Sequence, residues 1–287
     1  MHIRQTKLLD IVNRKQKVSV TDLAEALNVS EVTIRKDLTA LEQKGLLHRE
    51  HGYAVMSASN KALHQLSFNY ERKRRIAVLA AESVKNGETV MLSSGACCTL
   101  LAEELAIHKN DVTIITNSAF LAAFIRKYPK THVILLGGDY QNDAQVLVGP
   151  LVRACASQFS ADKIFVSPDG FGEQGSMSAN LMRAEAIRAM AESADKIILL
   201  AEAATLERKS LVQEFPLDKI DCIYTDERPH CSTLKQLEQH GVQIEVAPPP
   251  PRPQGLTGSH NTSKSKTSSY IKTQLRRCPQ LRFLWKH

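Results

Sequence analysis

The sequence predicts an α/β protein in two parts, a short helical part at the N-terminus and a longer part in which strands and helices alternate. Three observations support this prediction. Apolar residues recur at helical spacing over residues 1–55, short apolar runs alternate with helical stretches from residue 75, and a Pro-, Ser- and Lys-rich segment follows residue 247. With 287 residues and 43% hydrophobic content, the chain is long enough to fill two domain cores.

These changes of pattern set the predicted domain boundaries. We expect an N-terminal domain over residues 1–56, a polar linker over 57–74, an α/β domain over 75–247 and a basic, disordered tail over 248–287. The tail contains eight Lys or Arg residues and no acidic residue, so residues 1–247 hold 29 basic and 30 acidic residues. The net charge of +7 therefore gives no sign that the folded part binds nucleic acid.

Several classes of protein are disfavoured by composition. No run of about 18 apolar residues occurs, so no membrane-spanning helix is predicted, and the first residues lack the apolar region of a secretory signal. The six cysteines contain no C-x-x-C pair and no His partner at zinc-finger spacing. We expect a cytoplasmic protein with reduced cysteines, no metal site and no cofactor.

The first 55 residues predict three short helices followed by a hairpin. Apolar residues recur at helical spacing near the start and again in "VTDLAEALN", and a three-residue break precedes "VSEVTIRKDL". The stretch "LLHREHGYAV" predicts two short strands around Gly52. This order of elements is the layout of a winged helix-turn-helix.

The third helix has two distinct faces. On a helical wheel Ile34, Leu38 and Leu41 fall together as a core face, and Ser30 stands at the N-cap position. The opposite face presents Val32, Lys36 and Thr39, flanked by Thr33 and Arg35. A merely solvated helix face is the alternative, and Glu31 with Arg35 gives it one charge pair. An exposed Val beside Thr and Arg favours a major groove, where thymine methyl groups and base acceptors alternate.

The stretch over residues 18–55 closely resembles the N-terminal signature of DeoR-family bacterial transcriptional regulators, with V-S-x-x-T-I-R-R-D-L-x-x-L-E followed by G-x-L-x-R-x-H-G-G-A. Lys36 replaces the second Arg of that pattern, and Tyr53 replaces the second Gly. Lys36 loses bidentate reading of guanine, and we expect Tyr53 to restrict the turn of the wing. The resemblance implies that the helix reads an operator in double-stranded DNA.

The residues predicted to bind DNA are Ser30, Val32, Thr33, Arg35, Lys36, Thr39, Arg49 and His51. Thr33, Arg35 and Lys36 are the main candidates for groove and phosphate contacts. Arg49 and His51 would place the wing against the DNA backbone, with packing within the wing as the alternative for His51. Asp37 would repel phosphate, so we expect it to pair with a nearby Arg.

Strand-like runs from "ETVMLSSG" to "DKIDCIYTD" predict a mostly parallel sheet, and ligands gather at the carboxyl ends of such strands. Small and polar residues stand at those ends here. The order of segments over about residues 70–247 also resembles the DeoR-family sensor, whose fold is related to ribose-5-phosphate isomerase and which typically binds a phosphorylated sugar or metabolite. The resemblance implies an effector pocket built from Ser93, Ser94, Gly95, Ala96, Cys97, Thr116, Asn117, Ser118, Gly137, Gly138, Asp169, Gly170, Arg183 and Glu185.

This part of the chain departs from the family at several positions. Ser93 stands where the family commonly has Asp, Thr205 where it has Lys, and Glu202 where it has Asp. A phosphate anchor is therefore missing, so the ligand is not a sugar phosphate or its phosphate rests on Arg183. Plain turns between strands are the alternative interpretation of these loops.

Together the two resemblances imply a transcriptional regulator, more readily a repressor than an activator, that works as a homo-oligomer and responds to a small, phosphorylated metabolite. The main rival is an isomerase-like enzyme with an added DNA-binding head, although the first loop offers no carboxylate for proton transfer. A winged helix that binds protein is a third possibility. Family members usually end near "GVQIEVA", so an out-of-frame extension is an alternative origin of the tail.

Overall fold

The computed structural model describes residues 3–43, 46–56 and 61–249. The N-terminal part contains three helices and three short strands. In chain order they are α1 (Ile3–Lys15), β1 (Lys17–Ser19), α2 (Val20–Leu27), α3 (Glu31–Gln43), β2 (His48–Glu50) and β3 (Tyr53–Val55). The wing is an antiparallel sheet in the order β1-β3-β2, so the predicted hairpin gains a third strand that sequence periodicity did not reveal.

The turn between α2 and α3 is held by its own residues. Ser19 caps α2 by accepting the N–H of Asp22, and Asn28 ends that helix in the left-handed conformation with φ of +52°. Val29 then donates to the Ala24 carbonyl at 3.0 Å. These contacts produce the three-residue break predicted from the sequence, and they fix the angle at which α3 leaves α2.

The predicted linker over residues 57–74 needs correction, because its described part is helical. It contains α4 (Lys61–Ser67) and the start of α5 (Tyr70–Glu82). Leu66 and Tyr70 are buried, with 0% and 2% of their surface exposed. Polar residues between these apolar positions hid the helical spacing. Helix α5 thus starts at Tyr70, inside the predicted linker.

The α/β part is built on seven parallel strands in the order β15-β14-β12-β9-β4-β5-β6. These strands are β4 (Thr89–Leu92), β5 (Thr113–Thr116), β6 (His132–Leu135), β9 (Lys163–Val166), β12 (Ile197–Leu200), β14 (Cys222–Thr225) and β15 (Gln243–Val246). The six strands predicted from apolar runs are all present, and the mostly parallel sheet is confirmed. The edge strand β15 was not predicted, because it has only four residues and most of them are exposed, so no buried apolar run marks it.

Helices connect the strands, and two small antiparallel sheets complete the domain. The helices are α6 (Ala96–His108), α7 (Ala119–Ile125), α8 (Pro150–Ala156), α9 (Leu181–Ala191), α10 (Ala203–Leu206) and α11 (Cys231–Gln239). The antiparallel strands are β7 (Asp139–Gln141) with β8 (Val146–Val148), and β11 (Gly175–Ser178) between β10 (Gly170–Gly172) and β13 (Val212–Pro216). Neither small sheet was predicted.

One apolar core joins the two parts of the chain. It runs from Leu8 on α1 through Leu66 and Tyr70 to Leu101 on α6. A second core covers the other face of the parallel sheet and includes Ile164 and Met190. Because the first core is continuous, a change at the sheet can be transmitted to the N-terminal helices through packed side chains.

Over the described ranges, the structure contains no helix with both the length and the apolar content needed to cross a membrane. Four cysteines in these ranges are free thiols, with Cys97, Cys98 and Cys222 buried and Cys155 half-buried. The reduced state expected for the cysteines stays a prediction. Most of the tail, residues 250–287, lies outside the described residues, so its predicted disorder stays a prediction.

Candidate functional sites

The outward face of α3 is exposed as the helical wheel predicts. Val32 has 64% of its surface exposed, and Arg35 and Lys36 are exposed beside it. Ile34 and Leu38 on the opposite face are fully buried. The exposure of an apolar side chain between two cations is not explained by packing within the protein. This face is therefore suited to contact another molecule.

The start of α3 is capped by Ser30, as predicted. Its hydroxyl accepts the N–H of Thr33 at 3.3 Å and lies 3.0 Å from the Thr33 hydroxyl. The cap fixes the first turn of α3, whose remaining N–H groups face outward and favour an anion such as phosphate.

Arg35 is held in place by a short chain of polar contacts. Its guanidinium donates to Glu31 at 2.9 Å, and the Thr21 hydroxyl on α2 donates to the same carboxylate at 2.8 Å. The Arg35 hydrogen bond lowers the pKa of Glu31, with a smaller effect from Thr21. Both partners are exposed, so the pair adds little stability, but it orients Arg35 along the outer face of α3.

Asp37 is a structural residue, as predicted. Its side chain is buried and accepts from Arg4 Nε at 2.5 Å and from Gln5 at 3.2 Å. Both partners belong to α1. The carboxylate therefore fastens α3 to α1 and its charge is neutralised away from the outward face.

The wing is fastened to α3 by Arg49. Its main-chain N–H donates to Glu42 Oε1 at 3.0 Å, its Nε donates to Glu42 Oε2 at 2.7 Å, and another guanidinium nitrogen donates to the Thr39 hydroxyl at 2.9 Å. Thr39 in turn donates to the Arg35 carbonyl at 2.8 Å. Arg49 and Thr39 thus position β2 on α3, and any contact of theirs with DNA stays a prediction.

The tip of the wing is formed by His51 and Gly52, both with positive φ, of +40° and +86°. His51 is exposed there. Tyr53 follows this turn as the first residue of β3, where it pairs with Ser19, and its expected effect on the turn stays a prediction. Its ring lies under the Lys17 ammonium at 5.0 Å, an exposed cation–π contact on the outer side of the wing.

A cleft lies at the carboxyl ends of β4, β5 and β9, where parallel sheets collect ligands. Its cavity volume is about 50 Å³, and the space between its walls reaches about 580 Å³ when the open solvent at its mouth is included. The predicted effector residues that line it are Ser94, Gly95, Ala96, Ser118, Asp169 and Arg183. The walls also include Ala62, Gln65, Thr99, Phe120, Ala144, Ser167, Ser178, Ile187 and Glu214, which sequence reasoning missed.

Eight predicted effector residues do not line the cleft. They are Ser93, Cys97, Thr116, Asn117, Gly137, Gly138, Gly170 and Glu185. The buried hydroxyl groups among them support the loops instead. Ser93 accepts the N–H of Ser167 at 3.1 Å, and Thr116 donates to the Leu92 carbonyl at 2.7 Å.

The other members of this group have similar structural roles. Asn117 donates to the Leu147 carbonyl at 2.9 Å, and Glu185 accepts from Arg188 at 2.8 Å. Burial raises the pKa of the Cys97 thiol to about 12, so it stays neutral. Gly138 and Gly170 permit close chain packing, because a Cβ on either would lie within 2.6 Å of a carbonyl oxygen. Gly137 stands beside Gly138 behind the cleft.

The loop after β4 forms one end of the cleft. Gly95 has φ of +145°, and a Cβ there would lie 2.5 Å from the Cβ of Ser167, so only Gly fits. No side chain of the described residues caps α6 at Gly95. Because Gly95 and Ala96 line the cleft, the first N–H groups of this 13-residue helix lie beside it, an arrangement that favours an anion.

The cleft also carries two buried polar atoms without partners among the described residues, Arg183 Nε and Glu214 Oε2. Another nitrogen of Arg183 lies 3.7 Å from Asp143. Glu214 is 3% exposed, and burial, with the neighbouring charge of Asp169, raises its pKa to about 8. A charged residue inside the apolar strand "LVQEFP" was the sequence signal that could have identified it.

Helix α4 forms a wall of the cleft and also contacts the N-terminal part. Asn13 on α1 donates to the His64 carbonyl at 3.4 Å, and the Ser67 hydroxyl donates to the Leu46 carbonyl at 3.1 Å. In the same turn of α4, the Gln65 carbonyl accepts from Lys73 at 2.6 Å. The cleft and the N-terminal helices are thus separated by a single short helix.

Two protein-family models match the chain. Residues 4–60 match the DeoR-like helix-turn-helix domain, and residues 68–227 match the DeoR C terminal sensor domain. The chain belongs to the DeoR family. Its relatives include the HTH-type transcriptional regulator GolR of Listeria innocua, 30% identical over 249 residues that cover 85% of this chain and 98% of GolR. The glycerol-3-phosphate regulon repressor of Escherichia coli is 28% identical over 247 residues, covering 85% of this chain and 98% of the repressor.

DeoR-family membership decides between the classes considered from the sequence. The chain is a DNA-binding transcriptional regulator, and its α/β part is a sensor domain. The enzyme alternative is not supported, since both relatives named above are regulators. Among solved structures, ribose 5 phosphate isomerase A from Neisseria gonorrhoeae aligns with 47% of this chain and 52% of its own, at 14% identity and a TM-score of 0.35.

Proposed function

We propose that this protein is a cytoplasmic repressor that works as a homo-oligomer and releases its operator when an anionic, phosphorylated metabolite occupies the cleft. The single observation that carries this proposal is the position of α4. Its Ala62 and Gln65 line the cleft, while its Ser67 bonds to the N-terminal part. A ligand that moves α4 therefore changes how α3 is presented to DNA.

The DNA-reading surface in this proposal is the outward face of α3. Val32, Thr33, Arg35 and Lys36 enter the major groove, with Arg35 aligned by Glu31. Ser30 and the N–H groups it leaves free contact a phosphate, and His51 at the wing tip contacts the flanking backbone. Arg49 and Thr39 hold the wing at the angle that this contact needs.

The effector in this proposal has an anionic group at the start of α6. The N–H groups of the Gly95 loop and the side chains of Ser94 and Arg183 supply its hydrogen bonds, so Arg183 takes the place of the missing Lys. Glu202 does not serve this site, because it accepts from Asn69 at 2.7 Å and pairs with Lys73 on α5. The regulon named for the relative from Escherichia coli is that of glycerol 3-phosphate, which fits a small phosphorylated ligand here.

The proposal is tested by recovering bound genomic DNA with the full chain and measuring the affinity of one recovered fragment with and without phosphorylated metabolites. We expect tight, salt-dependent binding that at least one such metabolite weakens. Arg183→Leu should keep DNA binding and lose the metabolite response, whereas Arg153→Leu, on the outer surface of α8, should keep both. A fragment whose affinity no phosphorylated compound changes would contradict the effector part of the proposal.

A further inference from the structure

The cleft contains one buried acidic group that anion binding does not use. Glu214 lies on β13, which pairs with β11, and its carboxyl is 3% exposed. Its Oε2 is fully buried and has no hydrogen-bond partner among the described residues. A buried polar atom left without a partner costs about 1–3 kcal/mol, so such an atom in a ligand cleft indicates a group that the ligand supplies.

The surroundings of Glu214 restrict what that group can be. Asp169 lies on the same wall and its charge opposes ionisation of Glu214, while Arg188 on α9 has the opposite effect. Arg188 is engaged elsewhere, by the Gln213 carbonyl at 2.7 Å and by Glu185. Arg183, the other cation of α9, also lines the cleft, and the buried thiol of Cys98 is close enough to interact with the Glu214 charge.

A carboxyl in this position is uncharged at neutral pH, and a neutral carboxyl both donates and accepts one hydrogen bond. A hydroxyl group has the same two capacities, and it brings no charge into the buried site. An ammonium group would meet a neutral acid, and a second anion would meet Asp169. The ligand group that best fits the Glu214 carboxyl is therefore an alcohol.

We propose that Glu214 selects the effector by bonding to a hydroxyl group, so that the ligand is a hydroxylated anion rather than a simple anion. In this proposal the Gly95 loop and Arg183 hold the charged group, and Glu214 bonds to a hydroxyl group of the same ligand. This inference rests on the proposed effector function. Glu214 is a specificity-determining residue in it, and the anion end of the cleft does not depend on Glu214.

The test uses the full chain and matched pairs of phosphates that differ only in hydroxyl groups. The first pair is glycerol 3-phosphate and propyl phosphate, and the second is sorbitol 6-phosphate and hexyl phosphate. Inorganic phosphate measures binding at the anion end alone. Binding is measured by calorimetry for the wild type, Glu214→Gln and Glu214→Leu. Glu82→Gln, an exposed acid on α5, is the control. Circular dichroism establishes that each variant is folded.

We expect the wild type to prefer at least one hydroxylated probe over its partner by roughly tenfold or more, the loss expected when one buried hydrogen bond is not made. Glu214→Leu should lose this preference and still bind inorganic phosphate. Glu214→Gln should keep most of it, since its amide also donates and accepts. Above pH 8 the preference should fall in the wild type and stay constant in Glu214→Gln.

Three results would overturn the inference. The first is an equal preference for the hydroxylated probes in the wild type and in Glu214→Leu. The second is a wild type that shows no preference for a hydroxylated probe over its partner. The third is binding of inorganic phosphate without binding of any of the four organic probes. If inorganic phosphate still binds in each case, the proposed anionic effector survives. Failure of the wild type to bind even inorganic phosphate would instead remove the proposed effector function and this inference with it.

Discussion

The Nζ of Lys73 donates to the main-chain oxygens of Gln65 and Phe68, at 2.6 Å each, and lies 3.7 Å from Glu202. One ammonium thus joins the end of α4 to the loop after β12. The ammonium is almost fully enclosed, since Lys73 is only 8% exposed. Lys73 therefore connects a wall of the cleft with the carboxyl end of the sheet.

Replacing Lys73 with Met should lower the free energy of unfolding by roughly 1.5–3 kcal/mol, because two carbonyl groups and a carboxylate lose a charged donor. It should also weaken the response of DNA binding to effector, since α4 is no longer held. Denaturant unfolding and operator binding with ligand measure the two effects. Lys85→Met, at an exposed position, is the matched control, and an unchanged effector response in Lys73→Met would contradict the coupling role.

Arg35→Ala should weaken specific operator binding by roughly 1–3 kcal/mol if this side chain reads a base. The effect on stability should be small, because the Glu31 partner is exposed. Fluorescence anisotropy with a recovered operator and with a scrambled duplex separates base reading from phosphate contact. An equal loss on both duplexes would assign Arg35 to phosphate, and no loss on either would remove it from the interface.

Gly95→Ala should destabilise the sensor domain by about 1–3 kcal/mol, because the new Cβ meets Ser167 and φ stays positive. Phosphate binding should fall as well, since the loop carries the N–H groups of the anion end. Gly87→Ala is the control, as it has φ of +83° with nothing within 4 Å and so tests backbone strain without a clash. Equal losses in the two variants would show that the contact with Ser167 is unimportant.

The pKa of Glu214 predicts how stability depends on pH. Burial raises it from an ordinary value of 4.5 to about 8, so the folded state binds this proton more tightly than the unfolded state does. The resulting stability is complete below pH 4.5 and is lost as pH rises towards 8, by at most about 1.4 kcal/mol for each pH unit. Glu214→Gln does not titrate, so the wild type should lose stability relative to it across this window.

Unfolding by urea at pH 5, 7 and 9 measures this difference. Glu82→Gln should show no comparable trend, because its carboxylate is exposed. A constant difference between the wild type and Glu214→Gln at the three pH values would mean that Glu214 is ionised in the folded protein throughout.

Removing residues 250–287 should leave operator preference unchanged and reduce nonspecific DNA affinity and its salt dependence, because this segment carries eight basic residues and no acid. The truncation keeps Pro248, whose carbonyl accepts from Arg75 at 2.6 Å. Electrophoretic mobility shifts over a range of salt concentrations measure the effect. Loss of folding on truncation would contradict the predicted disorder of the tail.

Much of the fold could be read from the sequence because its signals are local. Spacing along single elements was enough to predict the alternation of strands and helices and the capped α3. The same spacing predicted that Ile34 is buried and Val32 exposed. The motif over residues 18–55 indicated the family for the same reason. Half-exposed β15 and the helical α4 were missed, because their patterns resemble surface loops until the packing against neighbours is known.

The residues that line the cleft could not all be predicted from the sequence. Ser94 and Ser93 are adjacent in the chain, yet one lines the cleft and the other supports the loop beneath it, and only the course of the loop decides between them. Glu214 follows Arg183 by many residues, and the two reach one cleft because β13 pairs with β11 and packs beside α9. The sequence by itself determined helix α3 with its two faces, the parallel sheet and the class of protein. Tertiary packing alone decided which polar groups are buried without partners, because burial depends on what the rest of the chain places around each atom.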